Sequence, residues 1–209
     1  MAEPLIGDGA VVLFQGDSIT DADRDRSNPD DLGPGYPSLV AALFTALHPA
    51  VRVRWINRGL SGHRTSDLRA RWQRDCLDLA PTWLSLLIGV NDTWWRYDYG
   101  EPTPPDVFEA NYRALLEPVV AAGTRLILME PFLLPGVPDR TSWRADLDPK
   151  IEAVRRLAAE FDAILLPLDR LFTAVARERP AAEWMPDGVH PTAAGHALIA
   201  NTWLRAVGA

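Results

Sequence analysis

The sequence predicts an α/β fold, a three-layer α/β/α sandwich around a five-stranded parallel sheet. Three observations predict it. Short runs of apolar residues alternate along the chain with longer segments of helical periodicity, in the pattern β-α-β-α-β-α-β-α-β-α. The first of these runs is apolar throughout and the third is broken only by Ser85, as suits strands covered by helices on both faces. The 209 residues, 47% apolar and 23% charged, suit one core, with no internal repeat or low-complexity tract. Residues 1–209 are therefore expected to form one domain.

The elements follow in order. Val11-Val12-Leu13-Phe14 reads as a buried first strand that Gly16 ends. Asp17-Ser18 fall on the turn at its carboxyl end, the edge where open α/β sheets bind ligands. A serine there is a candidate nucleophile; a turn that only caps the next helix is the alternative. Residues 21–34, dense in Asp, Arg, Asn, Pro and Gly, read as an exposed loop beside that edge. A helix from Pro37 to Leu47 carries Leu39, Val40, Leu43 and Phe44 at helical spacing and stops at His48-Pro49, with His48 on the surface. Residues 51–57 alternate, which suits an edge strand with a wetter face.

Gly59 and Gly62 free the backbone for close approach to a ligand. Thr65 or Ser66 is positioned to cap a helix whose Leu68, Trp72 and Cys76 form a stripe, and Cys76 reads as core. Trp83 to Ile88 is the central third strand, delivering Asn91 to the same carboxyl edge. The aromatics Trp94, Trp95, Tyr97 and Tyr99 read as a mouth loop, stiffened by Pro102, Pro104 and Pro105. They are suited either to stacking on a sugar ring or acyl chain or to packing the loop down. Asp106 and Glu109 resemble a capping box for a helix to Ala122, ended by Gly123. Arg125 to Met129 is the fourth strand, and residues 130–139 are a proline-containing loop on the same edge. Residues 143–161 read as helix, with Pro149 restricting where its first turn lies. A fifth strand over 163–167, a helix near 171–177 and a final helix over 193–207 complete the chain, with His196 a bystander.

Between the last two helices, Asp187 and His190 stand three apart on a segment stiffened by Pro186 and Pro191. That spacing lets a carboxylate reach Nδ1–H of the imidazole and leaves Nε2 free to take a proton from a hydroxyl. With Ser18 this makes a candidate triad.

Four blocks in order, Gly16-Asp17-Ser18-Ile19-Thr20, Gly59, Gly89-Val90-Asn91-Asp92 and Asp187-Gly188-Val189-His190-Pro191, resemble the SGNH (GDSL-type) hydrolase family over nearly the whole chain. Together with right-handed crossovers, the resemblance implies the flavodoxin-like strand order 2-1-3-4-5. It implies acyl transfer through Ser18, with His190 as base and Asp187 orienting it. The oxyanion donors it implies are the N–H groups of Ser18 and Gly59 and the amide of Asn91. Asp17, Trp94, Trp95 and Trp184 are candidate substrate-binding residues. Residues 69–72 and 88–94, with Trp184, are similar to acetylxylan-esterase-type carbohydrate esterases, which implies removal of acetyl groups from xylo-oligosaccharides. The Trp94-Trp95 pair and Pro186 depart from that group and leave the sugar preference open. A lysophospholipase or thioesterase of the same family is the alternative enzyme. An inactive carbohydrate- or ester-binding module is the alternative of a different class.

The net charge of −7 supplies no basic surplus for a nucleic-acid partner. No apolar run approaches the ~20 residues of a membrane span, and the N-terminus lacks the pattern of a signal peptide. One cysteine permits no intrachain disulfide. A cytoplasmic setting is therefore expected, with no cofactor, no metal (no cluster has ligand spacing) and an acidic, tryptophan-rich surface compatible with a homo-oligomer.

Overall fold

In the computed structural model, which describes residues 3–209, five parallel strands form one sheet in the order β2-β1-β3-β4-β5. They are β1 (Ala10–Gly16), β2 (Val53–Asn57), β3 (Trp83–Leu87), β4 (Arg125–Met129) and β5 (Ile164–Leu166). The helices are α1 (Ser18–Asp21), α2 (Tyr36–Leu47), α3 (Thr65–Asp75), α4 (Val90–Asp98), α5 (Pro105–Ala121), α6 (Arg144–Glu160), α7 (Leu168–Val175), α8 (Ala181–Trp184) and α9 (Ala193–Ala206). The predicted strand order and edge position of β2 are those observed.

Strand alternation divides the core between the two faces of the sheet. Val12 and Phe14 pack with Tyr36, Phe44 and Trp203 under α2 and α9. Leu13, Leu84 and Leu86 pack with Leu68, Trp72, Tyr112 and Leu115 under α3 and α5, with Val154 and Leu157 of α6 closing that layer. Cys76 lies fully buried in this second layer, and burial pushes its thiol up to about 12, so it stays an inert core group. Among the described residues no helix is long and apolar enough to cross a membrane.

Five local expectations are corrected. Residues 90–98 form helix α4 and not a loop. Gly89, at φ +134°, turns the chain out of β3, and no proline or glycine then interrupts until Gly100. At α3 the Thr65 hydroxyl donates to the buried Asp92 carboxylate at 2.7 Å, so capping falls to Asp67, which accepts the Arg64 N–H at 2.8 Å. Helix α5 starts on Pro104-Pro105 with no side-chain cap, since a proline at the first position has no N–H to satisfy. Its Glu109 pairs instead with Arg156 at 2.5 Å. His48 is half-buried against Phe44, ring centroids 5.0 Å apart. His196 is more than a bystander: its Nδ1 accepts the Tyr36 N–H at 3.2 Å, tying α9 to the start of α2, and burial holds its imidazole down to about 4.

Candidate active site

The carboxyl edge of β1 and β3 is built for close approach. A Cβ at Gly16 would lie 2.3 Å from the Leu87 carbonyl oxygen and 2.3 Å from the Thr20 hydroxyl, so β1, β3 and α1 converge only on a glycine. Asp17 caps α1, its Oδ1 accepting the Ile19 N–H at 3.0 Å. Its side chain is 1% exposed, Oδ2 has no partner, and burial pushes the carboxyl up to about 7. Asp17 is therefore a buried helix cap with almost no surface to offer a ligand, which corrects its place among the substrate-binding candidates.

Ser18 opens α1, and its Oγ lies 2.9 Å from His190 Nε2. His190 Nδ1 lies 2.7 Å from Asp187 Oδ2. The other carboxylate oxygen accepts the N–H of Val189 at 3.0 Å and of His190 at 2.8 Å, so one aspartate both folds the turn and faces the ring. Burial works to raise the Asp187 carboxyl, but the His190 ring and these two N–H groups hold it far below the usual carboxylate range. The same hydrogen bond to Asp187 raises His190 above an ordinary imidazole against the opposing effect of burial.

The turn bearing Asp187 is backed by the loop after β4, a role not visible in the sequence. Leu134 N–H donates to the Gly188 carbonyl at 2.9 Å, and Val137 N–H to the Pro186 carbonyl at 3.1 Å. A Cβ at Gly136 would lie 2.3 Å from the Asp187 carbonyl carbon, and one at Gly188 2.3 Å from the Leu134 oxygen. Both glycines are thus set by this contact, and their place in the chain gave no signal of it. Arg140 adds a side-chain bond, Nη1 donating to the Asp187 carbonyl at 2.9 Å.

Two of the oxyanion candidates are already engaged. Asn91 sits in the first turn of α4 and donates from Nδ2 to the His63 carbonyl at 3.0 Å, which uses one of its amide hydrogens and leaves the other. Gly59 has a single N–H and gives it to Asn57 Oδ1 at 2.8 Å. Asn57 cannot turn away: it is fully buried, and its Nδ2 donates to the Thr20 carbonyl at 2.7 Å and the Leu32 carbonyl at 2.8 Å. Gly59 is therefore corrected from an oxyanion donor to a packing position, where a Cβ would meet Asp21 N at 2.4 Å. Gly59→Ala is expected to destabilise the fold by about 1–3 kcal/mol through that clash. Thermal denaturation reads it, and an unchanged midpoint would show that α1 can shift. On the same turn Gly62, at φ +82°, is half-buried with open space where a Cβ would stand, and its N–H bonds to no acceptor among the described residues. The spaced glycine pair 59 and 62 was the signal for it.

The three candidate tryptophans separate. Trp94 stands beside the triad, its ring centroid 6.0 Å from that of His190. Trp95 turns toward α3, with the Arg64 guanidinium 3.7 Å from its ring. Trp184 ends α8, packed against the core, and its carbonyl accepts the Thr192 N–H at 2.8 Å ahead of α9. A cavity of about 570 Å³ between α6 and α7 is lined by none of these residues.

The sheet order and the polar cluster at its carboxyl edge place the chain in a known class. It belongs to the GDSL-like lipase/acylhydrolase family, whose model matches residues 14–198, and it is a carboxylic ester hydrolase. It is 35% identical to an acetylxylan esterase of Geobacillus stearothermophilus, over 97% of this chain and 96% of that protein. A crystal structure of an acetylxylan esterase from the same organism superposes with TM-score 0.91 at 34% identity, covering 98% of this chain and 96% of that one. A protein of Parabacteroides merdae, described as a GDSL-like lipase, superposes with TM-score 0.93 at 37% identity over 97% of both chains.

Proposed function

We propose that the protein removes acetyl groups from acetylated xylo-oligosaccharides or related carbohydrates through an acyl-serine intermediate. The observation that carries the mechanism is the relay of 2.9 Å and 2.7 Å contacts from Ser18 through His190 to Asp187, between a serine and a histidine 172 positions apart. Ser18 Oγ attacks the ester carbonyl as its proton passes to His190 Nε2. Asp187 holds the imidazole in the tautomer that can accept that proton and stabilises the imidazolium. The N–H groups of Ser18 and Gly62 and the free amide hydrogen of Asn91 receive the oxyanion. Collapse expels the sugar alkoxide, which takes the proton from His190. Water then attacks the acetyl-serine with His190 again as base, releasing acetate and restoring Ser18.

Two features support the small acyl group on a polar alcohol. The His190 side chain is 47% exposed, so the triad opens to a bulky solvated leaving group. Beside it stands Trp94, a half-buried ring 6.0 Å from the imidazole, which adds aromatic surface at the mouth. The kinship with an acetylxylan esterase over nearly the whole chain points the same way.

Hydrolysis of p-nitrophenyl acetate, butyrate and octanoate beside acetylated xylobiose tests the reading. Acetyl preference with acetate release from the sugar is the expected result; preference for octanoate would replace it with a lipase or thioesterase. Asn91→Ala is expected to lower kcat by about 10²–10³-fold, the loss typical of one oxyanion donor. A wild-type rate would remove Asn91 from the mechanism. The pH profile gives a separate check. His190 must be neutral to act as base, so kcat/KM should fall on acidification through its pKa, which Asp187 holds above the ordinary 6.5. A rate that stays flat between about pH 5 and 8 would exclude His190 as the base.

A further inference from the structure

The arginines around the mouth are mostly neutralised. Arg24 and Arg26 pair with Asp21, Arg64 with Asp67 and Glu101, and Arg96 with Asp146. Arg140 stands next to the triad and has no carboxylate partner among the described residues. Its guanidinium carbon lies 4.2 Å from the centroid of the Trp94 ring and 5.0 Å from that of Trp143. Its Nη1 is held by the Asp187 carbonyl at 2.9 Å, and Nε and Nη2 have no acceptor among the described residues. Trp94, on which it stacks, is the ring 6.0 Å from His190.

Three contacts therefore fix a guanidinium on the same aromatic wall as the imidazole and leave its charge unmatched, in a chain of net charge −7. Where acidic residues are in excess, a buttressed cation without a counter-charge is the arrangement that recognises an incoming anion. Stacking removes the side-chain freedom that binding would otherwise have to freeze, and the unused fork nitrogens match the geometry of a carboxylate. The bond to Asp187 alone does not explain the residue, since it uses one nitrogen and needs no charge.

We propose that Arg140 recognises a carboxylate carried by the substrate, so that the preferred acetyl ester sits on an oligosaccharide that also bears a uronic acid. This rests on the carbohydrate-esterase reading above and narrows it to acidic substrates. Arg140 is then a specificity residue, and Trp94 is the platform that sets its height above the triad.

The test compares the enzyme with its Arg140→Gln and Arg140→Lys variants on acetylated xylotriose with and without a glucuronic acid branch, with p-nitrophenyl acetate as reference. The readout is the ratio of kcat/KM for the acidic substrate to that for the neutral one. The unaltered enzyme should favour the acidic substrate by about 10-fold or more through KM, as a charge-assisted hydrogen bond implies. That preference should weaken when salt is raised to about 0.5 M. Arg140→Gln should bring the ratio close to one, and Arg140→Lys should restore only part of it. A ratio near one in the unaltered enzyme would overturn the proposal. So would a ratio that survives Arg140→Gln while all three rates fall together, which would make Arg140 a brace for Asp187. If p-nitrophenyl acetate is cleaved and neither oligosaccharide is, the carbohydrate reading fails, and this proposal fails with it by a different route.

Discussion

Ser18→Ala is expected to lower kcat by about 10⁴–10⁶-fold while leaving the protein folded. Among the described residues the serine Oγ makes one hydrogen bond, to His190, and the residue stands in the first turn of α1, where alanine is tolerated. The cap of that helix is Asp17, which the substitution leaves in place. What remains should come from the oxyanion donors acting on a water molecule. His190→Ala should cost a similar amount, and the double variant little more, because nucleophile and base act as one unit. Hydrolysis of p-nitrophenyl acetate reads the rate, and mass spectrometry after treatment with a serine-reactive phosphonate reads the nucleophile directly. One adduct per chain on Ser18, lost in Ser18→Ala, is the expected pattern. A rate within about 100-fold of the unaltered enzyme would place the nucleophile elsewhere.

What the sequence displayed and what it hid divide along physical lines. The strands were legible because burial on both faces demands mainly apolar runs; Val12 to Phe14 is unbroken, and Leu84 to Ile88 is interrupted only by the buried Ser85. Ser18, Asp187 and His190 were legible because each falls at a strand end or in a stiff turn where its chemistry has a local signature. Helix α4 was missed since its nine residues bury mainly one turn, Val90 to Thr93, too short a stripe to show a period. The directions of polar groups were hidden for a different reason. Whether the Gly59 N–H points at a substrate or at Asn57 depends on Asn57 being locked by Thr20 and Leu32, which lie 37 and 25 residues away. Arg140 belongs to the same class, because nothing near position 140 in the chain announces Trp94 or Asp187. Tertiary contact decides such questions, and composition and periodicity carry none of it.

Asp187→Asn separates orientation from structure more cleanly than any deletion. Asparagine keeps an oxygen to accept the N–H groups of Val189 and His190, so the turn should hold its shape. The loop over 133–137 binds the turn through main-chain groups and should hold as well. The change falls on Oδ2, which faces His190 Nδ1 at 2.7 Å and becomes an NH₂ donor. A donor there favours the tautomer with Nδ1 bare and the proton on Nε2, which then points a hydrogen at Ser18 Oγ where a lone pair is needed. The expected loss is about 10⁴-fold in kcat with the fold intact and only a small drop in thermal midpoint, from the lost carboxylate charge. The hydrogen bond and charge that raise the His190 pKa also disappear, so the acid limb of the residual activity should move to lower pH. Activity within about 10-fold of the unaltered enzyme would show that Ser18 and His190 work as a pair, with Asp187 serving only to fold the turn.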